Sequence, residues 1–280
     1  MNSPQARIWL SDRIVDSADA LVHVSERAFM SGDGVFETLK VVDGQPFAVT
    51  RHLARLAKSA RIVGIDLPVS WDFESALRET IDANSVRTGG SARARITISA
   101  GPAGKGISRG DAGLTIVITC DPQPAHPDSL ALVSVPWRHN ERGATVGAKT
   151  TSYSENLVIL ERARAVGADE AVIADTSDRL AEATTANVVV EHEGRLITPS
   201  LTTGCLPGVT RSLLLEWQIL DEFDVAYTRL AKTSEVLLSS STRSLIPART
   251  MDGRELAAPG PLGAAAMTAF DARAGEDLNP

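Results

Sequence analysis

Residues 35–42 are dense in β-formers, and Asp43-Gly44 separates them from Pro46-Phe47-Ala48-Val49. Two such runs parted by Asp-Gly predict a hairpin, because both central positions of a type I′ turn take positive φ. Over residues 51–63 the apolar side chains Leu53, Leu56, Ala57, Ala60 and Val63 recur at helical spacing. A second helix is predicted over 71–86 from Phe73, Ala76, Leu77 and Ile81, and strands over 93–99 and 114–119. Residues 121–127 read Asp-Pro-Gln-Pro-Ala-His-Pro. Prolines this dense continue neither a ladder nor a helix, so a linker is predicted there.

Beyond it the alternation resumes. Strands are predicted at 130–135, 171–174, 188–191, 196–198 and 236–240, with a Glu193-Gly194 turn between the third and fourth. Helices are predicted at 154–166, at 210–220 behind Pro207-Gly208, and at 262–272. The expected architecture is an α/β chain of α+β type in two domains: a smaller N-terminal domain over 1–119, a linker over 120–128, and a larger C-terminal domain over 129–280.

Composition narrows the class. The 280 residues are 43% hydrophobic and 22% charged, with net charge −7 and pI near 5.3. That balance speaks for a buried core and against a nucleic-acid partner, which calls for a basic face. Cys120 and Cys205 make no CxxC pair, and the five histidines show no HxxxH or HxH spacing, so neither a disulfide framework nor a metal is expected. The opening MNSPQARIWLSDR lacks the apolar core of a signal peptide, and no apolar run reaches the roughly 18 residues of a membrane span. A cytoplasmic protein is expected.

Three local features carry chemistry. Lys149 lies in Gly147-Ala-Lys-Thr-Thr-Ser-Tyr153, among small and hydroxylated residues at a helix entrance, although most lysines are merely solvated charges. Leu206-Pro-Gly-Val-Thr-Arg211 runs a Pro-Gly turn into an apolar helix, whose first N–H groups form an anion site or simply a capped end. Glu182 precedes Ala-Thr-Thr-Ala-Asn187 and a strand, and can orient a ligand or serve as a turn residue. The glycine-rich Gly101-Pro-Ala-Gly-Lys-Gly106 lacks the ending of a phosphate loop; it reads as a loop lining a substrate entrance, where Lys105 and Arg109 can meet a carboxylate.

Taken in order, these blocks resemble the fold-type IV (class IV aminotransferase) pyridoxal-phosphate enzymes over nearly the whole chain. The blocks are Val24-Ser-Glu-Arg-Ala28 with Gly32-Asp-Gly-Val-Phe-Glu37, Arg51-His-Leu-Ala-Arg55, Lys149 with Asn156, and Gly167-Ala-Asp-Glu170. Glu182 with Asn187, Thr198-Pro199, Gly208-Val-Thr-Arg211, and Ser239-Ser-Ser241 through Pro247 complete the set. The resemblance implies a C-terminal pseudo-barrel domain, a homodimer, and pyridoxal 5′-phosphate as cofactor. It implies that Lys149 carries the cofactor and shuttles the proton, a task that needs a neutral amine. Glu182 would keep the ring nitrogen protonated, improving the electron sink. Arg51, the N–H groups of Val209 and Thr210, and Ser241 would hold the phosphate. Asn187 and Tyr153 are the remaining cofactor candidates.

The stretch Pro136-Trp-Arg-His-Asn-Glu-Arg142 resembles the aminodeoxychorismate lyase-like branch, which implies conversion of 4-amino-4-deoxychorismate to 4-aminobenzoate and pyruvate, a step of folate synthesis. Its substrate, an amine with two carboxylates, would call on Arg109, Arg138 or Arg243. The alternative is a transaminase of D-amino acids or branched-chain L-amino acids, whose pattern Glu37 matches, with Thr38 beside it in the pocket. A non-catalytic binding protein on the same scaffold would be expected to lack the lysine or the ring-nitrogen partner.

Overall fold

The computed structural model describes residues 5–102 and 108–280. They fall into two compact units, one of Met1–Ala125 with Ala148–Tyr153 and Asn279, the other of His126–Gly147, Ser154–Leu278 and Pro280.

The first unit contains β1 (Arg7–Leu10), β2 (Arg13–Asp16), α1 (Arg27–Ser31), β3 (Gly34–Val42), β4 (Gln45–Pro46), α2 (Val49–Ile62), α3 (Phe73–Ala83), α4 (Ser85–Thr88), β5 (Ala92–Ser99) and β6 (Thr115–Pro122). Its six strands form an antiparallel sheet in the order β2-β1-β6-β5-β3-β4. Asp43 and Gly44 both take positive φ, +49° and +76°, as the Asp-Gly turn requires. Side chains alternate across the sheet, so Val35, Leu39, Val41, Ala94, Ile96, Ile98, Ile116 and Ile118 form one core with Leu56 and Ala60 of α2 and Leu77 and Ile81 of α3. The second helix begins at Asp72, whose carboxylate caps Ser75 N–H at 2.9 Å, and ends before Asn84, short of the expected residue 86. Strand β6 runs on through Pro122, beyond the expected domain end at 119; its paired Ala92↔Pro122 position lies at the strand end, where a missing N–H is tolerated.

The second unit contains β7 (Leu130–His139), α5 (Ser154–Ala165), β8 (Glu170–Asp175), β9 (Leu180–Ala183), β10 (Asn187–His192), β11 (Arg195–Thr198), α6 (Val209–Glu216), β12 (Asp221–Glu222), β13 (Val236–Ser240), β14 (Ser244–Met251), β15 (Arg254–Glu255) and α7 (Pro261–Glu276). The sheet order is β12-β11-β10-β13-β14-β7-β8-β9, with β15 on β14. In a flat sheet β9 and β10 would stand five strand spacings apart, roughly 24 Å. Yet only Thr184, Thr185 and Ala186 join them, a connection that spans at most about 14 Å. The sheet therefore curls on itself, and Ala183 N–H meets Ala186 C=O at 2.8 Å where it closes. The curled sheet gathers a core of Leu130, Leu132, Val172, Leu180, Val188, Val190, Ile197, Val236, Leu238 and Ile246. Glu235, buried at the start of β13, receives the first N–H groups of α7 from Leu262 (3.1 Å) and Gly263 (2.7 Å), supplying the helix start with an anion.

Candidate active site

Lys149 lies in the segment 148–153, which packs with the first unit. The segment is pinned along β3: Phe36 N–H donates to Lys149 C=O (3.0 Å), and Thr151 N–H to Gly34 C=O (2.9 Å). Lys149 N–H donates to Ser59 Oγ on α2 at 3.0 Å. A glycine is needed at 34, since a Cβ there would lie 2.6 Å from Ser99's neighbour Ile98, against its carbonyl oxygen. With its backbone held, the half-buried side chain extends so that Nζ donates to Tyr153 Oη at 3.0 Å and sits 4.3 Å from the centre of the Phe36 ring. Tyr153 itself meets Phe36 edge-on at 5.2 Å.

On the opposite face of β3, Glu37 stands on the core side with Val35, Leu39 and Val41, and is fully buried. A charge there requires partners. Arg55 supplies Nε to Oε1 and Nη2 to Oε2, both at 2.7 Å, and His52 Nδ1 meets Oε2 at 2.7 Å. Burial by itself would raise the Glu37 pKa, but the charge and hydrogen bonds of Arg55, with His52, hold it down to about 2. Burial pushes the His52 imidazole below its ordinary value, against the pull of Glu37. Glu37 is thus no open substrate contact: its alternation with three core residues already assigns it to the apolar face. Thr38 faces the other way, directly opposite Arg95 in the strand register. Arg51, expected at a phosphate, is half-buried on α2, whereas Arg55 and Ser59, one and two turns further along the same face, are buried.

Arg95 was not among the expected residues. Its guanidinium carbon stacks 3.7 Å from the centre of the Phe36 ring, the ring that also carries Lys149, and its Nε donates to Thr97 Oγ1 at 3.0 Å. It has no carboxylate partner among the described residues, and burial lowers its pKa. Arg109, by contrast, donates to Asp33 through Nε (2.9 Å) and Nη2 (2.6 Å) and to the carbonyls of Val63 and Gly64. Lys105 lies outside the described residues.

In the second unit Glu182 is a β9 residue at the closure of the sheet. Its Oε2 accepts Leu206 N–H at 2.9 Å, and its Oε1 lies 4.0 Å from His139 Nδ1. Asn187, buried at the start of β10, donates from Nδ2 to Leu206 C=O at 2.9 Å. Its Oδ1 presses so closely on Gly208 that a Cβ at 208 would overlap it. Asn187 therefore seats the turn that delivers Val209 and Thr210 as the first residues of α6, where N–H groups have no partner inside the helix. Ser241 lies in the turn between β13 and β14. Arg243, from the same turn, donates to Glu170 Oε1 (3.0 Å) and Thr185 Oγ1 (2.7 Å), and both Thr184 and Thr185 hydroxyls also donate to Glu170. Arg138 donates to Asp178 (2.8 Å) and to the carbonyl oxygens of Val135, Pro136 and Trp137. Among the described residues no His, Cys, Asp and Glu group is arranged to hold a metal, and no helix is long and apolar enough to cross a membrane.

The chain has relatives among known proteins. The pattern of the family Amino-transferase class IV matches residues 34–251. A D-alanine aminotransferase of Bacillus licheniformis is 29% identical, the match covering 94% of this chain and 95% of its own. A bifunctional aminodeoxychorismate lyase / D-amino acid transaminase of Mycobacterium tuberculosis is also 29% identical, over 89% of this chain and 92% of its own. Among solved structures, a hypothetical aminotransferase from Mycobacterium tuberculosis in a PLP-bound form superposes with a TM-score of 0.86 at 25% identity, covering 95% of this chain and 98% of that one.

Proposed function

The chain belongs to the class IV aminotransferases, pyridoxal-phosphate enzymes of fold type IV, and from that premise we propose that it moves an amino group between an amino acid and a 2-oxo acid. The residues present suit the cofactor: a half-buried lysine amine steered by a phenol, a helix start whose tight glycine leaves amides for a phosphate, and a carboxylate for a ring nitrogen. When bound, pyridoxal phosphate supplies an electron sink for negative charge at the carbon bearing the amine. Lys149 takes and returns the proton at that carbon, with Tyr153 aiming its amine. Glu182 keeps a proton on the ring nitrogen. Arg51, the N–H groups of Val209 and Thr210, and Ser241 would hold the phosphate, while Arg55 is spent on Glu37. Asn187 acts by seating the turn ahead of α6.

The observation that carries this reading is Arg95 sharing the Phe36 ring with Lys149. A desolvated guanidinium without a protein carboxylate beside the reacting amine is suited to the carboxylate of an amino acid. The lyase substrate needs a second cation, and Arg109, Arg138 and Arg243 are each engaged with a protein carboxylate. The lyase reading is kept as the second, on the strength of the Pro136–Arg142 stretch. The deciding assay gives the purified enzyme D-alanine, D-glutamate or a branched-chain L-amino acid with 2-oxoglutarate, and in parallel 4-amino-4-deoxychorismate. Amino transfer is expected; formation of 4-aminobenzoate without any amino transfer overturns the proposal. Lys149→Ala should lower turnover by about 10⁴-fold and remove the site at which borohydride fixes the cofactor. Wild-type-like turnover in that variant would refute the assignment.

The same reading includes a homodimer in the cytoplasm. Leu21, Val24, Phe29 and Met30, all strongly exposed in the first unit, supply apolar surface for a second copy. A sedimentation mass of one chain at micromolar concentration would contradict it.

A further inference from the structure

Glu170, the first residue of β8, is buried, with 4% of its side chain exposed. A carboxylate so placed requires partners, and two distant segments supply them. The hydroxyls of Thr184 and Thr185, in the connection from β9 to β10, donate to Oε2 and Oε1 respectively. Arg243, in the turn from β13 to β14, donates from Nη2 to Glu170 Oε1 at 3.0 Å and to Thr185 Oγ1 at 2.7 Å. Thr185 Oγ1 thus donates to the carboxylate and accepts from the guanidinium, which closes a ring of three side chains. Thr184 offers its carbonyl to Asn156 Nδ2 at 2.8 Å, and this ties the first turn of α5 to the same cluster. All of these residues belong to the second unit.

The turn that Arg243 anchors is the one that carries Ser241. It comprises residues 241–243, between Ser240 and Ser244, which pair across the two strands. Ser244 closes it at φ +55°, a left-handed conformation that an L residue adopts only where its surroundings impose it. Arg243 braces the turn from both sides: Nε donates back across it to Ser240 Oγ at 3.2 Å, while Nη2 reaches out to Glu170 and Thr185. The hairpin itself does not depend on this brace, because four consecutive register pairs, from Leu237↔Pro247 to Ser240↔Ser244, already hold its strands. What the brace decides is where the tip sits relative to the β9–β10 connection. A loose tip would have to be ordered by whatever it binds, at a cost in affinity.

We propose that Arg243 is a positioning residue: pinned to Glu170, it holds the 241–243 turn so that Ser241 meets the cofactor's phosphate without having to be ordered on binding. The inference rests on Ser241 contacting that phosphate. It assigns Arg243 away from substrate carboxylates and gives the Glu170 cluster a purpose beyond closing the sheet. Breaking the link between the two residues therefore weakens the hold on the phosphate and leaves the hold on the cofactor's ring unchanged.

The test compares pyridoxal phosphate with pyridoxal, which lacks the phosphate. Dissociation constants of both are measured by absorbance titration of the full-length, cofactor-free chain in the wild type, Arg243→Gln, Glu170→Gln, the double variant and Ser241→Ala. Arg243→Gln should weaken pyridoxal phosphate about tenfold, the cost of ordering roughly one residue, and pyridoxal by less than about twofold. Glu170→Gln should do the same, and the double variant no more than either alone, because both substitutions break one link. Equal weakening of the two ligands in Arg243→Gln, or of neither, overturns the proposal, since a clamp that only stabilises the fold does not distinguish them. Losses that add in the double variant overturn it as well. Arg243→Lys keeps a counter-charge for Glu170 but cannot span Ser240 and Thr185 at once. It should show the same selectivity to a smaller extent and replaces the glutamine variant if that does not fold; no selectivity in it overturns the proposal. Ser241→Ala separates the two readings. A loss confined to pyridoxal phosphate in Ser241→Ala but absent from Arg243→Gln leaves Ser241 at the phosphate and removes Arg243 from its support. No such loss in Ser241→Ala removes both.

Discussion

Glu37 and Glu182 are carboxylates from two different family blocks, and the folds around them treat them differently. Glu37 is fully buried, and a bidentate arginine and a histidine close on both its oxygens. Its charge is locked, and what it offers is rigidity: it fixes Arg55 and His52 on α2, the helix whose Ser59 anchors the Lys149 backbone. Glu182 keeps 13% side-chain exposure, accepts the Leu206 N–H at 2.9 Å and has His139 Nδ1 at 4.0 Å. A fully buried carboxylate that supports a helix must be neutralised by fixed cations, whereas one that keeps some exposure depends on them less.

The contrast can be broken most sharply at Glu37. Replacing it by Leu leaves Arg55 buried without its counter-charge, and the cost should be about 3–5 kcal/mol of stability by denaturant unfolding. A loss below about 1 kcal/mol would mean that the cluster does not hold the first unit together. At Glu182 the order reverses. Glu182→Gln should leave the melting temperature within about 2 °C of wild type while turnover falls about 10²- to 10³-fold; a large drop in melting temperature would place Glu182 in the same class as Glu37.

Arg95→Leu probes the cation that, unlike Arg55, has no protein carboxylate. Loss of a charged hydrogen-bonding group, about 1.5–3 kcal/mol, should raise KM for the amino acid about 10- to 100-fold with a small change in kcat. An equal rise for an amine lacking a carboxylate would remove Arg95 from carboxylate recognition.

The smallest effect expected is the pH dependence of the Glu37 cluster. Both His52 and Glu37 have folded pKa values below their ordinary ones. The unfolded chain therefore takes up protons first as pH falls. The His52 contribution is full above its ordinary 6.5 and declines below it, and the Glu37 contribution is full above 4.5 and lost on the way down to about 2. Melting temperature should thus fall steadily with acid below neutrality, and His52→Gln should flatten the upper part of that fall. A melting temperature that rises between pH 7 and 5 would contradict the assignment.

Much of this was legible along the chain, and the failures are instructive. Asp43-Gly44 predicts its hairpin, and Asp252-Gly253, with φ +52° and +77°, joins β14 to β15 by the same turn outside the predicted elements. Pro247 within β14 masked that strand, although only its N–H is lost and its pairing with Leu237 survives. In the block Arg51–Arg55, periodicity places both arginines on one helix face, and only the packing of α2 decides which is buried. Glu37 matches a family pattern that points to the substrate, whereas its alternation with Val35, Leu39 and Val41 places it against the core.

Local order in the chain was enough to indicate most of the element types and the family, and to single out Lys149 as the candidate for the chemistry. Those features depend on periodicity, on turn residues and on motif spacing, each confined to a few neighbouring positions. Which arginine meets a carboxylate, that Arg95 stacks on the Phe36 ring, and that His139 faces Glu182 were decided only by folding. Pairing and desolvation depend on what a distant strand brings within about 4 Å, and that distance is written in the register of the sheets rather than in any one segment.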